Sequence, residues 1–162
     1  KREINERKET VNFYDLVHNI KLSINDLIEE RGVVITTDFS QMEEAIIIKS
    51  YIHSIFYNLI SNSIKYRQNN CDAQISISAD TSRGYLVLVF KDNGRGIDLK
   101  AKGDQVFGLY KRFHTDTEGK DMGLYMVKTQ IESLGGRISI QSEVDLGTTF
   151  TIEFENIVCF RE

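Results

Sequence analysis

The order of hydrophobic periods along the chain predicts an α+β fold, a two-layer α/β sandwich in which helices cover one face of a mixed, mostly antiparallel sheet. Apolar residues recur at helical spacing in three separate stretches. Two pairs of segments alternate apolar and polar residues, and each pair is joined by a short polar turn. One-sided alternation implies strands with one covered face, and adjacent pairs imply hairpins.

The elements follow in order. The opening KREINERKET is mostly charged and reads as an exposed helix end or linker. From Asp15, the positions Leu16, Val17, Ile20, Ile24, Leu27 and Ile28 predict one helix that closes at Gly32. Residues 33–39 are β-branched and read as a strand, and residues 40–45 as a polar loop. Ser50 is the expected N-cap of a helix running through YIHSIFYNLISNSIKYR. Ile75, Ile77 and Ala79 pair with Leu86, Leu88 and Phe90 across DTSRG. The span 93–123 is glycine-dense and without a clear period, a lid-like loop. Leu124, Val127, Ile131 and Leu134 mark a helix closed by Gly135 and Gly136, and a second hairpin crosses EVDLG.

A length of 162 residues suits one domain. The formal charge of -4 gives no basic footprint, so no nucleic-acid partner is expected. Cys71 and Cys159 have no metal or redox spacing, which fits a reducing compartment. No apolar run approaches the roughly 20 residues that span a bilayer. The segment is expected to be cytoplasmic and to make no direct membrane contact, with a parent protein either soluble or membrane-anchored.

Three motifs carry chemistry. At 100° per residue Asn58, Asn62 and Lys65 fall within a wedge of roughly 60° beside an apolar arc. Amide oxygens can complete the shell of a small hard cation and a lysine can meet the phosphates it bridges, while the bland reading is a solvated polar stripe. KDNGRGID follows an apolar strand; Asp92 can accept from an exocyclic amine, and Gly94 and Gly96 permit a sharp turn and close approach of a flat ligand. A plain hairpin loop is the alternative. EGKDMGLYMV sets Gly119 and Gly123 before a helix start that favours an anion, or they serve as hinge and cap.

With LGTTF on a late strand, these boxes stand in the order of the ATP-binding catalytic domain of sensor histidine kinases, within the superfamily of DNA gyrase and the heat-shock chaperone ATPases, which the chain resembles from about Asp15 to Phe154. The resemblance implies the Bergerat-type ATP-binding fold, with 1–12 a remnant of a helical dimerisation domain or linker, 13–156 the catalytic domain and 157–162 a tail. It implies ATP and Mg2+, with Asn62 as metal ligand and Asn58 supporting it. Lys65 and Tyr66 would contact phosphate and nucleotide. Asp92 would receive the adenine amine, Gly94 and Gly96 would shape the pocket, and Ile97 would pack by the base. Gly119, Gly123 and Leu124 would wrap the phosphates, and Thr148 would reach adenine through water. Phe107 and Tyr110 match the lid's aromatic pair, though both types are also ordinary core residues. Arg112 would be the lid cation, so Asn62, Lys65 and Arg112 carry catalysis.

Two departures stand out. Asp121 replaces the usual middle glycine, and its carboxylate would repel a triphosphate. Ser63 replaces the more frequent alanine and is expected to be silent. None of His18, His53 or His114 has the setting of a phosphoacceptor, so the expected enzyme is a protein-histidine kinase whose acceptor lies on a dimerisation domain outside this chain and whose fragment is inactive alone. His18 is expected at the surface. Further expected partners are a response regulator receiver domain and, for the full protein, a second copy, the fragment itself being monomeric. The rival reading is a degenerate regulatory module that binds nucleotide weakly or not at all. An ATPase of the gyrase or chaperone type would need a glutamate on the asparagine helix, and residues 50–65 hold no acidic side chain.

Overall fold

The computed structural model describes residues 7–108 and 123–155. In chain order it contains β1 (Glu9–Asn12), α1 (Phe13–Ser23), α2 (Asn25–Arg31), β2 (Val34–Asp38), β3 (Glu44–Ile47), α3 (Lys49–Lys65), β4 (Gln74–Ser82), β5 (Tyr85–Asp92), α4 (Leu99–Lys102), a 3-10 turn (Gly103–Gln105), α5 (Gly123–Ser133), β6 (Arg137–Glu143) and β7 (Gly147–Glu155).

Five strands form the main sheet in the order β2-β4-β5-β7-β6. Only the β2–β4 pair is parallel. Alternation then decides what is covered. Ile75, Ile77, Leu86, Leu88, Phe90, Phe150, Ile152 and Phe154 are buried beneath the helices, whereas Val34 on the opposite face is 47% exposed. Phe56 of α3 joins the layers, stacking on Phe13 at 5.8 Å and meeting Phe90 edge-on at 4.9 Å. The expected α+β sandwich is therefore present.

Local differences have local causes. The predicted single helix from Asp15 is two, because Ser23 Oγ donates to the Ile20 carbonyl at 2.7 Å and the chain turns at Ile24, which is buried. Glu9–Asn12, expected to be exposed helix or linker, is a strand paired antiparallel with Glu44–Ile47, part of which reads as loop from sequence. Two edge strands of four residues each carry too few alternations to register as a period. Asn12 then caps α1 by accepting from the Asp15 N–H at 3.1 Å. α3 begins at Lys49 with Ile48 in the N-cap position, which corrects the expected Ser50 cap. Within the glycine-dense span, Asp98 accepts from the N–H groups of Lys100 and Ala101 and starts the short α4. The end of α5 is as expected, with the Gly136 N–H donating to the Ile131 carbonyl at 2.9 Å.

Candidate functional site

β5 ends on Asp92, opposite Thr148 of β7 in the sheet register. The residue is half-buried and its carboxyl is largely enclosed. Oδ1 accepts from the Gly94 N–H at 2.9 Å and the Thr148 N–H at 3.2 Å. Oδ2 accepts from the Ser63 hydroxyl of α3 at 2.8 Å. Burial pushes the Asp92 carboxyl above the ordinary 3.8, and the bonds from Gly94, Ser63 and Thr148 pull it part of the way back. A carboxylate has about four acceptor positions, so three donors leave one for a ligand.

The loop after Asp92 is held by contacts that only glycine permits. A β-carbon on Gly94 would lie 2.8 Å from the Tyr66 carbonyl oxygen, and one on Gly96, where φ is 68°, would collide with the Glu143 carbonyl. The loop thus wedges between the end of α3 and the β6–β7 turn. Backbone bonds seal both sides, Arg95 N–H to Tyr66 O at 2.9 Å and Asp145 N–H to Arg95 O at 2.8 Å. Ile97 is buried, and its N–H donates to Ser142 Oγ at 2.8 Å. Ser142 Oγ is also 2.8 Å from Thr148 Oγ1 and 3.0 Å from the Gly147 carbonyl oxygen.

The asparagine face of α3 is organised differently. Asn58 donates back to the Ser54 carbonyl at 2.8 Å and the Ser54 hydroxyl at 3.2 Å, which leaves its own Oδ1 unused by that pair. Asn62 is half-buried, and its side chain makes no hydrogen bond to a described residue. The Lys65 ammonium is 5.5 Å from the centre of the Tyr66 ring, and the Arg95 guanidinium is 5.8 Å from it. Among the described residues no three His, Cys, Asp or Glu side chains converge on a metal position. An amide oxygen with no competing partner fits a cation that brings phosphate oxygens and water as its other ligands, as magnesium does.

Of the sequence-predicted residues, Asn58, Asn62, Lys65 and Tyr66 lie along the C-terminal half of α3 and its cap. Asp92, Gly94, Gly96, Ile97 and Thr148 meet at the ends of β5 and β7. The two groups touch through Ser63 and Asp92, one residue on from Asn62. Gly123 opens α5, Leu124 is buried, and α5 packs on α3. Phe107 is packed against core Phe150, with ring centres 6.3 Å apart, and Lys128 lies 5.5 Å from its ring centre. Tyr110, Arg112, His114, Gly119 and Asp121, and the tail 157–162, lie outside the described residues. His18 is exposed on α1, as expected, and exposed His53 stacks on Tyr57.

Three residues at the site are missed from sequence. Ser63, expected to be silent, is buried and bonded to the Asp92 carboxylate; its only sequence signal is a hydroxyl on an apolar helix arc. Gln68 directs Nε2 at the carbonyls of Asn93, Gly94 and Asp145, at 3.1, 3.1 and 2.8 Å, and ties the α3 end to both loops. Ser142 joins Ile97 to Thr148. Neither belongs to a recognisable motif: the partners of Gln68 are distant in sequence, and Ser142 gains its role only when the β6–β7 turn brings it to Thr148 and the fold brings Ile97 to it.

An α+β sandwich with an amide-bearing helix laid beside a carboxylate-ended strand is the architecture of one class of nucleotide-dependent proteins. Residues 48–156, well over half the chain, match the family described as histidine kinase-, DNA gyrase B-, and HSP90-like ATPase, and the chain belongs to it. It is 34% identical over 130 residues to cyanobacterial phytochrome A of Nostoc sp., covering 79% of this chain and 16% of that protein. Sensor histidine kinase GraS of Staphylococcus epidermidis is 32% identical over 129 residues, covering 78% of this chain and 36% of GraS. The catalytic domain of histidine kinase ThkA superposes with a TM-score of 0.75 at 19% identity, covering 91% of this chain and 95% of that one, a likeness of fold. The chain spans only a minor part of the length of these two curated relatives.

Proposed function

We propose that the chain is the ATP-binding catalytic domain of a two-component sensor histidine kinase, transferring the γ-phosphoryl group of ATP to a histidine on a separate dimerisation domain. The observation that carries this reading is the Asp92 carboxylate, held by three donors from three elements and left with one acceptor position, beside the amide of Asn62, which has no partner among the described residues. Asp92 accepts the exocyclic amine of adenine, and Ile97 packs by the base where Gly94 and Gly96 keep the backbone close. Thr148 reaches the base through water. Bound magnesium would supply neutralisation of the charge that develops during transfer. Asn62 would hold the cation by its amide oxygen, with Asn58 one turn behind. Lys65 meets phosphate from the next turn, Tyr66 lies against the nucleotide, and Gly119, Gly123 and Leu124 wrap the phosphates. Arg112 supplies the lid cation.

The histidine nitrogen forms its bond to the γ-phosphorus as the bond to the β,γ-bridging oxygen breaks, and ADP leaves; positioning and charge neutralisation supply most of the rate, as in phosphoryl transfer generally. The phosphoryl group then passes to an aspartate of a response regulator receiver domain. The chain alone is monomeric and cytoplasmic, and the whole protein is a homodimer. Among the described residues no helix is long and apolar enough to cross a membrane.

Titration with a fluorescent ATP analogue tests the reading directly. Binding that strengthens with magnesium is expected, followed by phosphotransfer when a separate histidine-bearing dimerisation domain of the parent protein is added. Absence of nucleotide binding with or without magnesium would favour the degenerate regulatory module instead.

A further inference from the structure

We propose that Ser63 is a specificity-determining positioning residue: by donating to Asp92 it leaves the carboxylate one acceptor position, in a fixed plane, that takes an amine-bearing purine and refuses an oxo-bearing one. The inference rests on the nucleotide reading above and deepens it. Ser63 is 6% exposed, and its Oγ lies 2.8 Å from Oδ2 of Asp92. Oδ1 is filled by the N–H groups of Gly94 and Thr148. The three donors come from α3, the loop after β5, and β7, so the plane of the carboxylate cannot turn without breaking at least one bond. Oδ2 keeps a single open position.

The hydroxyl at residue 63 has one proton, and it is committed to Asp92. It cannot donate to an oxo group on a ligand without uncovering a largely enclosed carboxylate oxygen, which costs more than a neutral hydrogen bond gains. Without the hydroxyl, Oδ2 has two open positions and space beside it for a water. Such a water donates one proton to Oδ2 and offers the base either its second proton, to an oxo group, or a lone pair, to an amine. It therefore serves as an adapter for an oxo acceptor as well as for an amine. A site that fixes its polar groups rejects the wrong hydrogen-bonding pattern, and one that admits a mobile adapter does not.

Equilibrium binding of ATP and of inosine triphosphate, which carries an oxo group in place of the adenine amine, tests this on the full 162-residue chain in magnesium buffer. Ser63→Ala is expected to lower the ATP-to-inosine triphosphate affinity ratio roughly fivefold, the size of one net hydrogen bond. Ser63→Cys, close in size and a weak donor, is expected to behave like alanine and guards against a packing artefact. Ser63→Thr keeps the hydroxyl and restores the ratio. An unchanged ratio in both Ser63→Ala and Ser63→Cys, or equal weakening of both nucleotides, assigns Ser63 a purely structural role and overturns the inference. A wild-type chain that binds neither nucleotide overturns the nucleotide reading, and this inference with it, before any variant is made.

Discussion

Asp92 at the end of β5 accepts hydrogen bonds from a loop, a strand and a helix, whereas Asn62, one residue from its partner Ser63, makes no side-chain bond to any described residue. The first region is completed by folding. The second is completed by no described residue. A preorganised acceptor contributes selectivity, because its geometry does not adapt to the wrong donor pattern. An unpartnered amide contributes affinity only when a cation and its phosphates arrive, and costs the empty fold little because water can reach it.

The strongest way to break this contrast is at the loop that frames Asp92. Gly96→Ala sets a β-carbon against the Glu143 carbonyl at a positive φ and is expected to cost about 3 kcal/mol of stability by chemical denaturation, with loss of nucleotide binding. An alanine that folds at wild-type stability would mean the loop is not wedged as described.

Asp92→Asn keeps the shape and changes the pattern. With its amide nitrogen in the Oδ2 position the side chain presents a donor to a donor, while the Ser63 hydroxyl can turn to accept. ATP affinity is expected to fall by at least about tenfold while thermal unfolding changes little, and inosine triphosphate is expected to be weakened less. Calorimetric titration of both nucleotides checks the two outcomes together.

Acidification sharpens the same point with a definite sign. Because burial raises the Asp92 pKa above 3.8, the carboxylate form is the one disfavoured by folding. The stabilisation from its protonated form is therefore present below the unfolded-state value and lost as pH rises through the folded one. Amine binding needs the ionised form. ATP affinity is thus expected to fall about tenfold per pH unit once pH drops below the folded pKa of Asp92, while this residue's contribution to stability improves. The Asp92→Asn variant should lose that step, and persistence of the step would place the titrating group elsewhere.

The mildest effect is expected at the unpartnered end. Asn62→Ala should change stability by no more than about 0.5 kcal/mol, as for a surface substitution, and weaken nucleotide binding several-fold only when magnesium is present. A loss equal in magnesium and in chelator would deny Asn62 a role at the cation.

Much of this arrangement is legible in one dimension. The apolar arc of α3, with Asn58, Asn62 and Lys65 on its flank, follows from a 3.6-residue period. The β4–β5 and β6–β7 hairpins follow from alternation and short turns, and Asp92, Gly94 and Gly96 are found because a strand runs directly into them. Ser63 is noticed only as an exchange expected to be silent, because on the helix it is a small residue on the packed arc. Its meaning depends on Asp92, 29 residues away. The β1–β3 pair is invisible for a related reason: strands of four residues are stabilised by each other rather than by their own periodicity.

Periodicity, charge and glycine placement alone determined the two-layer fold, the polar flank of α3 and the carboxylate at the end of β5, since each depends on residues near one another in the chain. Tertiary packing alone decided that Asp92 is an acceptor with one open position, that Gln68 clamps the loop, that Ser63 joins the two halves of the site, and that the first helix breaks at Ile24. Hydrogen bonds between distant residues obey geometry in three dimensions, and a linear pattern carries no record of which hydroxyl will meet which carboxylate.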